Sequence, residues 1–196
     1  MMLEQRKKAL NEALSDSEEE VRKAAAEALE ALEPALHLEM LLQGLESPKR
    51  AERIRCLYAL EAVRSSRVLP SLLNCLVDAD ADVRATAVQV IGTRGEPRAL
   101  PELAKRLRDE AAAVRMYAAE ALGHFRDMRL VPYLASVLRD EDSGVVTAAV
   151  GSLGKIGSVA AEKYLLAVLR DRRPAVRAEA ARALALLEWE DSSEKA

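Results

Sequence analysis

Six leucines, Leu10, Leu41, Leu72, Leu103, Leu134 and Leu165, recur at a step of 31 residues, and Leu14, Leu45, Leu76, Leu107, Leu138 and Leu169 keep the same step four positions later. Leucines four apart share one face of a helix. A period of this size marks an array of small units, each closing its apolar face only against its neighbours. That pattern overrides length as a guide, since 196 residues would otherwise suit one or two globular domains. Half of the residues are apolar but only 3% are aromatic, a balance that suits close-packed helices and suits strands poorly.

Each unit reads as two helices of about 12 to 14 residues. The first, helix A, is clearest in Leu100, Leu103, Ala104 and Leu107, with Pro101 near its start and Pro70 and Pro132 at matching places. Proline is tolerated there because a first-turn amide has no helical partner to lose. A polar turn follows, as in Asp78 to Asp82 and Asp140 to Ser143, supplying carboxylates able to cap helix B. Pro174 takes the equivalent first-turn position in the last unit. Helix B opens on a β-branched anchor, read as Val21, Ile54, Val83, Val114, Val145 and Val176. On this reading two residues are inserted around 48–53 and two are lost near Ser65, in loops where length changes cost little. Gly92, Gly123 and Gly154 fit tight helix packing, and Gly95 and Gly157 fit left-handed helix ends. The units then run approximately 1–34, 35–65, 66–96, 97–127, 128–158 and 159–190, in one domain over 1–196 with a polar tail at 191–196.

The run Pro101, Asp109, Val114, Arg115, repeated in Pro70, Asp78, Val83, Arg84, resembles the HEAT repeat. The unit length and the Ala-Leu-Gly ending of helix B resemble the short HEAT-like type first associated with phycobilisome lyase subunits. The resemblance implies an all-α fold, an α-solenoid or superhelix of six stacked two-helix HEAT-like repeats. It also implies a ladder of paired charges between successive turns, at Asp16 with Arg22, Asp78 with Arg84, Asp109 with Arg115 and Asp171 with Arg177. Ser47 replaces the acid of the second unit, with Arg55 read as its arginine, and Val146 replaces the arginine of the fifth.

Little in the chain speaks for chemistry. His37 and His124 lie about three units apart, too far to share a metal. The His-Glu dipeptides that bind di-iron in some HEAT-repeat enzymes are missing, since Leu38 follows His37 and Phe125 follows His124. No phosphate loop or nucleophile motif is visible. The expectation is therefore no catalytic, cofactor or metal site. Cys56 and Cys75 lie in apolar helical patterns and read as small core hydrophobes, although a disulfide between neighbouring helices is conceivable. Tyr58, Tyr117, Tyr133 and Tyr164 read as core or interface-edge residues, and Trp189 as closing the last unit. No stretch is apolar enough to span a membrane, and a cytoplasmic protein is expected.

Net charge is −3, with residues 1–34 at −4, residues 188–196 at −3 and the rest at +4. The basic share includes Arg67, Arg98 and Arg129, which recur at the 31-residue step with Arg64, Arg94 and Arg126 nearby. They form a candidate basic edge for nucleic acid or for an acidic protein patch. The inner, concave face is expected from helix B, at Lys23, Glu27, Ala85, Gln89, Met116, Glu120, Thr147, Gly151, Ala178 and Arg182. Its candidate partner-binding set is Met116, Glu120, His124, Val146, Thr147 and Val150. The leading functional expectation is a non-enzymatic protein–protein interaction scaffold or adaptor. An accessory subunit of a bilin lyase or related chromophore-handling complex, implied only by the resemblance, and a nucleic-acid-binding array are the alternatives.

Overall fold

A computed structural model describes residues 2–187; Trp189 and the tail at 191–196 lie outside the described residues. Among those described there are eleven α-helices, three short 3-10 turns and no strand. Contacts divide the chain after Val63. The first body holds α1 (Met2–Ala13), α2 (Glu19–Gly44) and α3 (Arg50–Leu60). The second holds α4 (Val68–Cys75), α5 (Ala81–Arg94), α6 (Leu100–Arg106), α7 (Ala112–His124), α8 (Val131–Ala135), α9 (Ser143–Ile156), α10 (Glu162–Val168) and α11 (Pro174–Leu184).

In the second body the helices alternate as the leucines require. The even-numbered helices form an A layer, and α5, α7, α9 and α11 form a B layer in which each packs on the next. Leu72, Leu103, Leu134 and Leu165 are fully buried, as are the anchors Val83, Val114, Val145 and Val176. Each such side chain contributes about 1.5–3 kcal/mol by leaving water. The first body follows the period with less burial: Leu14 and Val21 remain 39% and 40% exposed.

In the second body the B helices run 11–14 residues, close to the expected length, but the A helices are shorter. Helices α6, α8 and α10 have only 7, 5 and 7 residues, each entered through a three-residue 3-10 turn, at Pro97–Ala99, Met128–Leu130 and Val159–Ala161. Helix α2 runs unbroken through Pro34, so the expected boundary between residues 34 and 35 falls inside it. A stop signal is missing there. Where α5 and α9 end, Gly95 and Gly157 sit at φ 63° and 73°, a left-handed conformation that costs glycine little. Glu33 occupies the matching position of the first repeat. Arg126 occupies it in the fourth and is forced to φ 50°.

The close approach of the B helices is set by small residues. A Cβ added to Gly92 would lie 2.6 Å from the Ala121 Cβ, one on Gly123 would lie 2.9 Å from the Ser152 Cα, and one on Gly154 would lie 2.8 Å from the Ala183 Cα. The glycines expected to allow tight packing do so, each against the next helix of the layer.

Candidate docking surface

The turns between helices A and B are built first by short-range chemistry. Asp16, Asp78, Asp109, Asp140 and Asp171 each accept, through Oδ1, the backbone amide two residues ahead at 2.8–3.0 Å. Ser47 accepts the same bond through its hydroxyl at 3.2 Å. Such local bonds form turns and compete with helix, so a short polar side chain every 31 residues ends one helix and aims the next.

An arginine six positions later then reaches back. Nη1 of Arg22, Arg53, Arg84, Arg115 and Arg177 donates to the carbonyl of residue 16, 47, 78, 109 and 171, at 2.7–2.9 Å. This corrects the reading of the second repeat. The period is 31 there too, the ladder arginine is Arg53 and not Arg55, and Glu52 stands at the anchor position in place of half-buried Ile54. The β-branched residue misled, whereas the turn geometry decides. Glu52 is accommodated because Ser47 Oγ donates to its carboxylate at 2.7 Å.

For Arg84 and Arg115 the carboxylate met belongs to the following turn. Arg84 donates Nε and Nη2 to Asp109 at 3.0 and 2.9 Å, Nη2 to Glu110 at 3.1 Å, and Nη1 to the Asp78 and Ala79 carbonyls. All five guanidinium N–H groups are engaged, the full capacity of the fork. Arg115 grips Asp140 likewise at 2.7 and 2.9 Å. The pairs named within one repeat are therefore joined through the backbone carbonyl, and the ion pairs run from one repeat to the next. Arg22 donates only to the Asp16 and Ser17 carbonyls, and Ser47 occupies the sequence position of the following turn's acid.

Val146 leaves the fifth repeat without an arginine, and Arg173 fills the gap from the other side. Its Nη1 donates to the Asp140 and Glu141 carbonyls at 3.0 and 3.4 Å, while Nε and Nη2 hold Asp171 at 2.9 Å. These are the two groups that an arginine at 146 would bridge. Its guanidinium, with the Arg173 amide, lowers the Asp171 carboxyl to about 2. The sequence carried the signal, an arginine two places past the turn acid in the one repeat that follows the gap.

The expected partner set separates under this geometry. Val146 and Val150 are fully buried: they belong to the packing of α9, and neither is available to a partner. Met116, Glu120 and Thr147 are half-buried and His124 is exposed. Within the B layer, Gln89, Glu120, Gly151 and Arg182 repeat at the 31-residue step, and Met116, Thr147 and Ala178 form a second row. Gln89, Ala178 and Arg182 are exposed and the others half-buried, whereas Ala85 is buried. In the first body, Lys23 and Glu27 of α2 are exposed.

The basic edge is less basic than its sequence. Arg67, Arg98 and Arg129 are exposed, but Arg129 grips Asp127 through Nε and Nη2 at 3.0 and 2.6 Å. The Arg94 side chain is only 2% exposed and lies 3.3 Å from Glu96. Tyr58 and Tyr133 are half exposed, not core. Cys56 and Cys75 are buried cysteines, and burial raises the Cys56 pKa. His37 sits on α2 beside a shallow groove shared with Glu4 and Lys7 of α1. Among the described residues no three His, Cys, Asp or Glu side chains gather as a metal site would require, and no helix is long and apolar enough to cross a membrane.

A family model for HEAT repeats matches residues 38–115 and 100–185, and one for a single HEAT repeat matches residues 8–36. The chain belongs to the HEAT-repeat family. No curated protein matches it by sequence. Among solved structures, this HEAT-repeat chain is similar to one in the complex of CpcE and CpcF of phycocyanin lyase from Nostoc sp. PCC7120, at 24% identity and TM-score 0.68. That match covers 78% of this chain and 65% of the lyase chain, so the HEAT array spans about two thirds of its length. The Escherichia coli protein YIBA is similar at 21% identity and TM-score 0.65, covering 94% of this chain and 73% of its own. A designed armadillo repeat protein in complex with the peptide (KR)4 is similar at 18% and 0.61, covering 92% and 98%. These likenesses establish an α-solenoid fold.

Proposed function

We propose that this HEAT-repeat chain is a non-enzymatic scaffold that docks a protein partner on the B layer of its second body. The observation that carries the proposal is the 31-residue row Gln89, Glu120, Gly151 and Arg182 across α5, α7, α9 and α11, flanked by Met116, Thr147 and Ala178, in which polar and small side chains keep part of their surface open to solvent. Met116, Glu120, His124 and Thr147 supply the central contacts, with Met116 offering an adaptable apolar surface among groups that form hydrogen bonds. Repeat arrays use extended surfaces of this kind for binding, and the designed armadillo repeat protein to which the chain is similar is in complex with a peptide.

A photo-crosslinking side chain at Thr147 tests the reading. It is expected to give a discrete product with a host protein that is absent when the crosslinker stands at exposed Glu141. The captured protein, once purified, should bind at least about tenfold more weakly to Met116→Asp, the loss expected of a central contact. Absence of a product at Thr147 would sink the B-layer reading. The lyase alternative rests on fold likeness to the phycocyanin lyase complex, and an absorbance titration with free bilin tests it. An unchanged bilin spectrum, with and without partner subunits, eliminates that alternative.

A further inference from the structure

The A layer of the second body carries a groove of about 700 Å³ between α6 and α8. Its floor is apolar, formed by Leu100, Pro101, Leu130 and Tyr133, with Tyr133 52% exposed. Its rim is cationic at both ends: Arg129 stands where α8 begins, Arg108 stands just past the end of α6, and Lys105 lies between them. Two acids temper this charge. Asp127 is held by Arg129 at 2.6 Å, and Glu102 by Lys105 at 2.6 Å. Both cations stay open to solvent, 84% exposed for Arg129 and 61% for Lys105, and Arg108 is exposed as well. The exposed Lys105–Glu102 pair holds together weakly, whereas Arg129 grips Asp127 through Nε and Nη2 and keeps Nη1 for an incoming carboxylate to share.

Sequence period explains why cations mark the two ends. Arg98 and Arg129 recur at the start of helix A, and Arg108, Arg139 and Arg170 recur just beyond its end. The arginines at 108, 139 and 170 take no part in the turn ladder. Large apolar side chains beside guanidinium groups are the usual anchors of a docking site, and the forked guanidinium matches a carboxylate.

We infer that the groove between α6 and α8 binds an extended acidic peptide segment of a protein partner. An apolar side chain of the peptide lies over Pro101 and Tyr133, one carboxylate meets Arg129, and a second meets Arg108. The floor runs along Pro97–Ala99 and α6, roughly 16 Å at the rises of 3-10 and α helices. An extended peptide advances about 3.3 Å per residue, so its two acids stand about five residues apart with the apolar anchor between them. This site lies in the A layer and does not depend on docking at the B layer.

The test is selection of random displayed decapeptides against the full chain, followed by fluorescence anisotropy with the selected peptides. The expected peptides carry an aliphatic or aromatic residue between two acids about five positions apart. Their Kd should rise at least about tenfold with Arg108→Glu and with Tyr133→Ala, and less than about twofold with Lys155→Glu, a charge reversal at an exposed position of α9. Circular dichroism verifies that each variant keeps its helices. Failure to enrich acidic peptides, or full affinity in folded Arg108→Glu, overturns the assignment. Equal weakening by Lys155→Glu overturns it too, because the attraction is then diffuse. Displacement of the peptides by a labelled thymidine oligonucleotide whose binding also needs Arg108 would assign the arginines to phosphate and overturn it as well.

Discussion

A side chain in this protein matters according to how many repeats it joins. Arg84 fastens its own turn to the next through five donors, and its partner Asp109 is only 4% exposed. Arg84→Ala is therefore expected to cost about 3–5 kcal/mol, chiefly by stranding a buried carboxylate. Arg22→Ala, which removes two exposed bonds to carbonyls, should cost about 0.5–1 kcal/mol. Chemical denaturation of the two variants measures the difference, and equal costs would remove the ladder as a source of stability. Arg126 presents the opposite case, a residue opposed by its own backbone. A left-handed conformation costs a non-glycine residue about 1–2 kcal/mol, and glycine returns part of that gain through its freer unfolded chain. Arg126→Gly should accordingly raise stability by about 0.5–1 kcal/mol in the same assay. The sequence showed the place, since glycine stands 31 residues to either side, but not that the arginine would accept the strain.

Helices are joined at the turns by charge and along the B layer by shape. Arginine neighbours hold the carboxyls of Asp140 and Asp171 below the usual range near 4. Asp109 is lowered as well: burial raises its pKa, but the Arg84 bonds, the Ala111 amide and Arg106 together outweigh that. A carboxyl lowered on folding stabilises the fold fully above its unfolded value and loses that contribution as pH falls through the folded one. Melting temperatures should thus drop between about pH 4 and pH 2, with a smaller drop in Asp171→Asn. An unchanged acid slope in that variant would contradict the rung from Arg173. Along the B layer, Ser152 is buried with an Oγ that has no hydrogen-bond partner, facing Gly123. Ser152→Ala should be stabilising by about 1 kcal/mol, while Gly123→Ala should cost about 1–3 kcal/mol by overpacking. The leucine period and the small-residue positions made this packing legible in advance. The true register of the second repeat was hidden, because the apolar Ile54 mimics an anchor and only the turn's hydrogen bonds identify Arg53. The same limit hid the fate of Val146 and Val150, since apolar residues in a helix do not reveal which neighbour covers them.

On the largest scale, the repeats of the second body lock onto their neighbours at the leucine faces, the small-residue contacts and the turn rungs. Arrays built this way are stabilised nearly as a sum of local and nearest-neighbour contributions, and they can open in parts. Composition and period announced the architecture. The surfaces stayed obscure because exposure depends on how neighbouring helices settle: Arg94 became buried, Arg129 found Asp127, and a groove opened where Arg108 and Arg129 face a shared apolar floor. Hydrogen exchange followed by mass spectrometry, comparing the native chain with Arg84→Ala, tests the nearest-neighbour claim most directly. The account predicts lost protection concentrated in α5, α7 and the turn at Asp109, with α11 close to its native rate. A uniform loss extending from α5 through α11 would show a single undivided core and contradict it.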